Sequence, residues 1–334
     1  MRSTGRPSEP LAHRGEARFQ GNIVRMLDLA VIVVSWNVRD YLANCLRSVY
    51  ADLERCHLKG EIWVVDNNST DGTQELLRDV FPNTNLIVND GNPGFGAANN
   101  QGMAAAVAGD GQGPRYFLLL NPDTLVRPGA LGELVESMDA LPEAGLVGAR
   151  LTYADGRFQQ SAFRFPGLAQ LTFDLYPLPA RLYESRLNGR YPRRHYKPNG
   201  EPFEVDHTLG AAMLVRRDVA EATGGFDEEF HMYCEEIDWC WRIRSAGWAI
   251  YSVPKAEIVH YGGVSTKQIP ARSIISLWRS RAYLYRRHHG RVKYSLARRL
   301  VKAGMQRKAA RARSQDLRAA YLEAATIWQN SSPA

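Results

Sequence analysis

Residues 231–242 read HMYCEEIDWCWR. Three carboxylates, Glu235, Glu236 and Asp238, sit there among Met232, Tyr233, Cys234, Ile237, Trp239 and Trp241. Burying a lone carboxylate is expensive, so acids in such company are paired, bound to a metal, or kept for chemistry. Another acid, Asp123, leaves the apolar run of LLLNPDT (118–124) behind a proline that stiffens the turn. A carboxylate at that tip is well placed to hold a divalent cation against a diphosphate. Asp66 ends a second apolar run in VVDNNSTDGT (64–73). An acid at a strand's carboxyl end commonly bonds a ribose or a base edge. Ser69 and Asp71 beside it are also ordinary helix caps.

These residues need a frame that brings them together. Short apolar runs rich in β-branched residues, Leu29–Val34, Glu61–Val65, Asn85–Val88 and Tyr116–Leu120, predict strands buried on both faces. Helical spacing covers Tyr41–Val49, Thr73–Val80 and Ala98–Val107. This alternation predicts an α/β fold with a mostly parallel sheet flanked by helices. Ligands bind beyond the carboxyl ends of such strands, and every polar cluster named so far falls there. Residues 160–205 read as an irregular inserted region. His207–Val215, Ile250–Val253 and Glu257–Gly263 read as further strands, and from about Ile274 the chain is predicted helical to its end.

NPGFGAANNQG (92–102) contains a G-x-G-x-x-N pattern. It follows the third strand and lacks a final glycine, which argues against a dinucleotide fingerprint. Gly94 and Gly96 instead allow a tight turn with backbone close to a ligand, and Asn99 offers hydrogen bonds. His260, taken alone, suits a satisfied core histidine; with Asp123 available it becomes a candidate ligand. On a helix opening near Glu236, Asp238 and Arg242 are spaced to pair at i, i+4, which leaves Glu236 for chemistry. Its apolar neighbours raise its pKa toward a value useful in proton transfer. All three acids also suit a helix start through the macrodipole alone.

The 334 residues are 45% hydrophobic and 23% charged, ordinary for a globular chain. Cys45, Cys56, Cys234 and Cys240 form no C-x-x-C pair and read as reduced core thiols, which fits a cytosolic compartment. No apolar run approaches the roughly 18 residues of a membrane span. Residues 1–27 are basic and polar, unlike a secretory signal, and are expected to form a disordered arm, or to precede a start at Met26. Lys267 to Arg318 holds sixteen Lys and Arg against Asp316, or +15 of a net +7, so the remainder carries −8. A basic, aromatic helical tail on a mildly acidic body suggests an anionic membrane surface. Nothing else in the chain supports nucleic-acid binding.

The series VVSWN (33–37), VVDNNSTDGT (64–73), NPGFGAANNQG (92–102), LLLNPD (118–123), GAAMLVRR (210–217), GGFDEEFHMYCEEIDWCWRIRSAGW (224–248) and VHYGGVS (259–265) resembles glycosyltransferase family 2. More narrowly it is similar to the bacterial rhamnosyltransferase-like branch, over roughly residues 28–290. The resemblance implies a GT-A fold, with residues 28–266 as catalytic domain and 267–334 as a basic helical extension. It also implies an inverting transfer from a nucleotide-diphosphate sugar, dTDP-L-rhamnose or a UDP-sugar, assisted by Mg²⁺ or Mn²⁺. By position, Asp66 binds the nucleotide with Trp36 and Asn37 close by, and Asn68, Gly94, Gly96, Asn99 and Asn121 complete that set. Asp123 is the metal-binding acid, His260 helps hold the metal or diphosphate, and Glu236 fills the general-base position.

Two departures matter. Asn121 stands where the family has a first acid, leaving the cation to Asp123, His260 and the diphosphate. Glu236 stands where Asp is usual and reaches one methylene further, so Glu235 and Asp238 remain candidates for the base. The expected acceptor is a glycan or polyprenyl-linked glycan of the bacterial cell envelope. The expected location is cytoplasmic, peripheral on the inner face of the membrane.

Two rivals stand beside this reading. A nucleotidylyltransferase needs a Gly-rich basic loop after the first strand, where this chain has SWNVRD. A catalytically inactive nucleotide-sugar-binding or membrane-docking module has no need of Asp66, Asp123, Glu236 and His260 together.

Overall fold

The computed structural model describes residues 27–108, 113–262 and 270–330. The expected N-terminal arm therefore lies, Leu27 apart, outside the described residues, as does Gly263. The first half alternates strand and helix: β1 (Leu27–Ser35), α1 (Arg39–Arg55), β2 (Gly60–Asp66), α2 (Thr73–Val80), β3 (Asn85–Val88), α3 (Phe95–Val107) and β4 (Pro114–Leu120). Then come β5 (Thr124–Val126), α4 (Ala130–Ala140), β6 (Ala144–Thr152), and two-residue strands β7 (Phe158–Gln159) and β8 (Ala162–Phe163). The region expected to be irregular holds two helices, α5 (Leu168–Leu175) and α6 (Ala180–Tyr183), before the short strands β9 (Phe203–Glu204) and β10 (His207–Thr208). The chain continues through β11 (Ala212–Arg216), α7 (Arg217–Thr223), α8 (Glu235–Ser245) and β12 (Ala249–His260). It closes with α9 (Pro270–His288), α10 (Arg291–Ala310) and α11 (Gln315–Asn330).

The main sheet runs β3-β2-β1-β4-β11-β6-β12-β5, with β7 on β6 and β9 on β12. Along that path β11 and β5 run against the other strands, so the sheet is mostly parallel. Strand order reverses at β1 and β4, which opens a crevice between the ends of these strands, at Trp36 and Asn121. Alternation along β1 sends Leu29, Val31 and Val33 to one face and Ala30 and Ile32 to the other. The first face packs on α1 and α4 through Leu42, Leu46, Leu134 and Met138. The second packs on α3 and α8 through Met103, Trp239 and Ile243. A separate core joins α5 to the three C-terminal helices around Trp278, Tyr285, Tyr294 and Trp328. No helix of the described residues is long and apolar enough to cross a membrane.

Four expectations change. Asn85–Val88, expected to be buried on both faces, is the edge strand β3, half-buried and with Val88 exposed. The apolar run His207–Val215 is not one strand: it breaks at Leu209–Ala211, where Leu209 N–H donates to Ser161 O and Ala211 O accepts from Asn121 N–H. Ile250–Val253 and Glu257 onward join in the single strand β12, with a register shift around Pro254, which cannot donate a ladder bond. The helix expected from Ala98 starts earlier, at Phe95, because Gly94 adopts φ +102° and turns the chain into it.

Candidate active site

The strand ends meet in a cavity of about 280 Å³. From the first half of the sheet it is lined by Trp36, Asn67, Asn92, Phe95 and the Asn121–Asp123 turn. From the second half come Leu209–Ala211, Tyr233, Glu235, Glu236 and His260.

The turn after β4 is built by local bonds. Thr124 Oγ1 donates to Asn121 O at 2.7 Å, and Cys45 Sγ lies beneath at 3.7 Å from the same oxygen. Burial pushes the Cys45 thiol up to about 12, so it is a neutral packing group. Asp123 and His260 are 137 positions apart in sequence. The antiparallel pairing of β5 with β12 sets His260 against Thr124, and Tyr261 N–H donates to Asp123 O at 3.0 Å. As a result His260 Nε2 stands 3.5 Å from Asp123 Oδ1, both residues being under 10% exposed. His260 Nδ1 lies 3.2 Å from Gln159 Oε1. With Nδ1–H donated there, Nε2 keeps its lone pair toward Asp123. An imidazole oriented by a second partner, facing a carboxylate, is a donor set suited to a first-row divalent cation. Asn121 Nδ2 is 3.5 Å from the same Nε2. Among the described residues no cluster of three or more His, Cys, Asp or Glu side chains forms a full protein cage for a metal.

The acids of α8 separate by environment. Tyr233 and Cys234 both take positive φ, 71° and 69°, an uncommon conformation for such residues that turns the chain sharply into the helix. Glu236 is half-buried and lines the cavity above Gly210. Burial raises its pKa to about 7, although its own N–H and that of Ile237 pull the other way. Glu235 is 5% exposed and lines the same cavity, with Oε2 buried and unpartnered. Burial, then the Glu236 charge, raises it well above the ordinary carboxylate range. Asp238 faces elsewhere. It is fully buried and accepts from Arg242 Nε at 2.8 Å, with His288 Nε2 at 2.7 Å. Burial pushes its pKa up, but the bonds from His288 and Arg242 outweigh that and hold it below its usual value. The i, i+4 pair expected from spacing is present within α8, and the contact of Asp238 with His288 ties α8 to α9.

Other residues named from the sequence surround the cavity without lining it. Asp66, fully buried, accepts at Oδ2 from Ser69 N–H and Gln74 Nε2, while its Oδ1 has no partner. Asn37 accepts the Thr70 N–H at 2.8 Å and holds two loops together. Asn68 Nδ2 donates to Asp90 O, and Asn99 Nδ2 to Phe95 O within its own helix. Gly94 is needed for close approach, since a Cβ there would sit 2.2 Å from His231 O; one on Gly96 would press on Phe226. Sequence reasoning passed over Asn67, Asn92, Phe95, Tyr233 and Gln159. Asn67 directly follows Asp66 and Asn92 opens the NPG turn, so both were within reach. Gln159 had no local signal at all.

Comparison with known proteins places this geometry. The family model described as glycosyl transferase family 2 matches residues 30–223. N-acetylglucosaminyl-diphospho-decaprenol L-rhamnosyltransferase of Mycobacterium tuberculosis is 31% identical over 270 residues, 78% of this chain and 85% of the relative. Rhamnosyltransferase WbbL of Escherichia coli is 27% identical over 237 residues, 69% of this chain and 82% of that protein. The mannosyltransferase PcManGT of Pyrobaculum calidifontis, solved with GDP-Man and Mn²⁺, superposes with a TM-score of 0.54 at 15% identity, over 92% of this chain and 89% of that one. GalNAc-T7, solved with UDP, GalNAc and Mn²⁺, gives 0.52 at 15% identity, over 71% of this chain and 44% of its own. With its GT-A fold, this chain belongs to glycosyltransferase family 2, in the rhamnosyltransferase-like branch, and is a glycosyltransferase.

Proposed function

We propose that the chain transfers a sugar from a nucleotide diphosphate, with dTDP-L-rhamnose the leading donor, to a polyprenyl-linked glycan in cell-envelope polysaccharide synthesis. The observation that carries this reading is that Glu236, with a pKa raised to about 7, shares one cavity with the Asp123–His260 pair. Both relatives are named as rhamnosyltransferases, which supports the sugar, and the name of the Mycobacterium tuberculosis relative, with its N-acetylglucosaminyl-diphospho-decaprenol, supports the acceptor class.

Transfer is a single displacement with inversion. Glu236 takes the proton from the acceptor hydroxyl as its oxygen bonds the anomeric carbon, and the bond from that carbon to the phosphate oxygen breaks. The nucleoside diphosphate leaves with the bonding pair. Asp123 and His260 would hold a divalent cation, which when bound offsets charge on the departing diphosphate. Asp66 Oδ1, buried and unpartnered, suits an N–H of the donor's base, and the Asn67–Asn92 edge lies beside it. Burial, then the Glu236 charge, raises the Glu235 carboxyl well above the ordinary range and so disfavours a second full charge beside Glu236. Asp238, committed to Arg242 and His288, is the least suited of the three acids to act as base. Residues 28–266 form the catalytic domain in this reading, and the basic extension 267–334, with its helices α9 to α11, holds it peripherally at an anionic membrane face.

The test is nucleotide release from dTDP-, UDP- and GDP-sugars with a polyprenyl-linked acceptor, with Mg²⁺ or Mn²⁺ and then EDTA, for wild type and Glu236→Gln. Release from one donor, lost with EDTA and in the variant, is the expected result. Release untouched by the variant moves the base to Glu235, and no binding of any nucleotide sinks the reading.

A further inference from the structure

A second cavity, of about 630 Å³, opens beside the first. The two share Leu209, and Gln159 lines the second while contacting His260 of the first. Its wall carries three guanidinium groups, Arg157, Arg190 and Arg193, against one carboxylate, Glu184. Arg190 and Arg193 both pair with Glu184, which leaves them with excess positive charge. The Arg193 guanidinium lies 5.5 Å from the Phe158 ring and Arg157 lies 5.6 Å from Tyr153. Stacked in this way, planar forks are held ready for phosphate oxygens.

Two buried polar atoms of this wall have no partner, Arg190 Nε and Gln160 Oε1. Gln160 Nε2 donates to Ala162 O and lies 2.9 Å from Tyr196 OH. The carbonyl partner fixes the amide's orientation, so the open atom is an acceptor. An unused N–H, an unused C=O, surplus positive charge and ring faces together suit an anionic ligand that carries hydroxyls.

We propose that this cavity is the acceptor subsite. Arg157, Arg190 and Arg193 take the diphosphate of a polyprenyl-diphosphate-linked sugar. Gln160 and the Phe158 face take its sugar, and the attacking hydroxyl passes Leu209 to reach Glu236. The inference rests on the acceptor class proposed above.

The experiment measures binding, without transfer, of farnesyl-diphospho-N-acetylglucosamine, of the neutral octyl N-acetylglucosaminide, and of dTDP. Wild type is compared with Arg190→Gln, Arg193→Gln and Arg157→Gln. Arg157 is strongly exposed and pairs with Asp155 two residues away, so its variant keeps the fold even where loss of a Glu184 partner does not. Expected is a roughly tenfold weaker Kd for the diphosphate ligand in each variant, from a lost charge-assisted contact, with Lys substitutions recovering part of it. The neutral glycoside and dTDP should bind every variant within twofold of wild type. An unchanged Kd for the diphosphate ligand overturns the proposal, and so does an equal loss for dTDP, which assigns the arginines to the donor. Normal acceptor binding without sugar transfer sustains the subsite while refuting the proposed function.

Discussion

The β1–β4 side of the cavity and the α8–β12 side differ in how their polar groups are bonded. On the first side amides satisfy one another. Asn67 Nδ2 donates to Asn92 Oδ1, Asn89 Nδ2 donates to Asn67 Oδ1, and Asn92 Oδ1 also accepts the Gly94 N–H. Asp66 Oδ1 and Ser35 Oγ, at the ends of β2 and β1, are exceptions, buried without a partner. On the second side Glu235 Oε2 is buried without a partner, Glu236 is held near neutrality by burial, and two successive residues carry positive φ. A satisfied neutral network makes a rigid cradle that binds without titrating. Buried acids in a strained turn store unfavourable electrostatics where a proton must move. In the proposed mechanism, contact with the donor's base and proton transfer thus fall to opposite walls, and the Asp123–His260 pair bridges them.

The sharpest way to break this division is Glu236→Gln. Loss of a general base lowers kcat by about 10²–10⁴-fold. Donor Kd should stay unchanged, and a matching loss of donor binding would erase the distinction between the walls. Next is Asp123→Ala, expected to lower kcat by on the order of 10²–10³-fold through lost stabilisation of the leaving group. Added Mn²⁺ should not restore it, whereas excess Mn²⁺ should largely rescue Gln159→Leu, for which metal affinity falls about 10–100-fold because only the orientation of His260 is lost.

A pH series separates the walls further. Glu236 has a folded pKa of about 7 against an ordinary 4.5, so between those values the folded state binds more protons than the unfolded one. Stability from this group is therefore present below about pH 4.5 and is lost as pH rises through 7, while kcat rises over the same upper range. Thermal unfolding should find Glu236→Gln equal to wild type near pH 4 and more stable at pH 8. A variant less stable at pH 8 would show that the Glu236 charge is favourable where it sits. The smallest effect is expected for Asn92→Ala, about 1 kcal/mol of stability with kcat nearly unchanged, read by denaturant unfolding and donor Kd.

The first half of the fold was legible because its signals are local. Thr73–Val80 and Asn85–Val88 are the observed bounds of α2 and β3, since an apolar run closed by turn residues marks its own ends, even for β3, a half-exposed edge strand. The region 160–205 concealed α5 because that helix is stabilised by distant partners: Leu171 and Leu175 pack on the C-terminal helices, and a Cβ on Gly304 would sit 2.7 Å from Leu175. His207–Val215 looked continuous because its break answers to Ser161 and Asn121, far away in sequence.

By itself, then, the sequence determined the alternating α/β frame, the polar turns at its strand ends and the family. Those depend on periodicity and on residue types within a few positions of one another. Tertiary structure decided which polar residues face a common space. Trp36, Asn121, Asp123, Glu235, Glu236 and His260 line the cavity, whereas Asn37, Asn68, Asn99 and Asp238 are bonded to neighbours. It also decided that His260 meets Asp123, through the β5–β12 ladder, and that Gln159 orients it. Burial and pairing set the state of a carboxylate, and both come from residues that are distant in the chain.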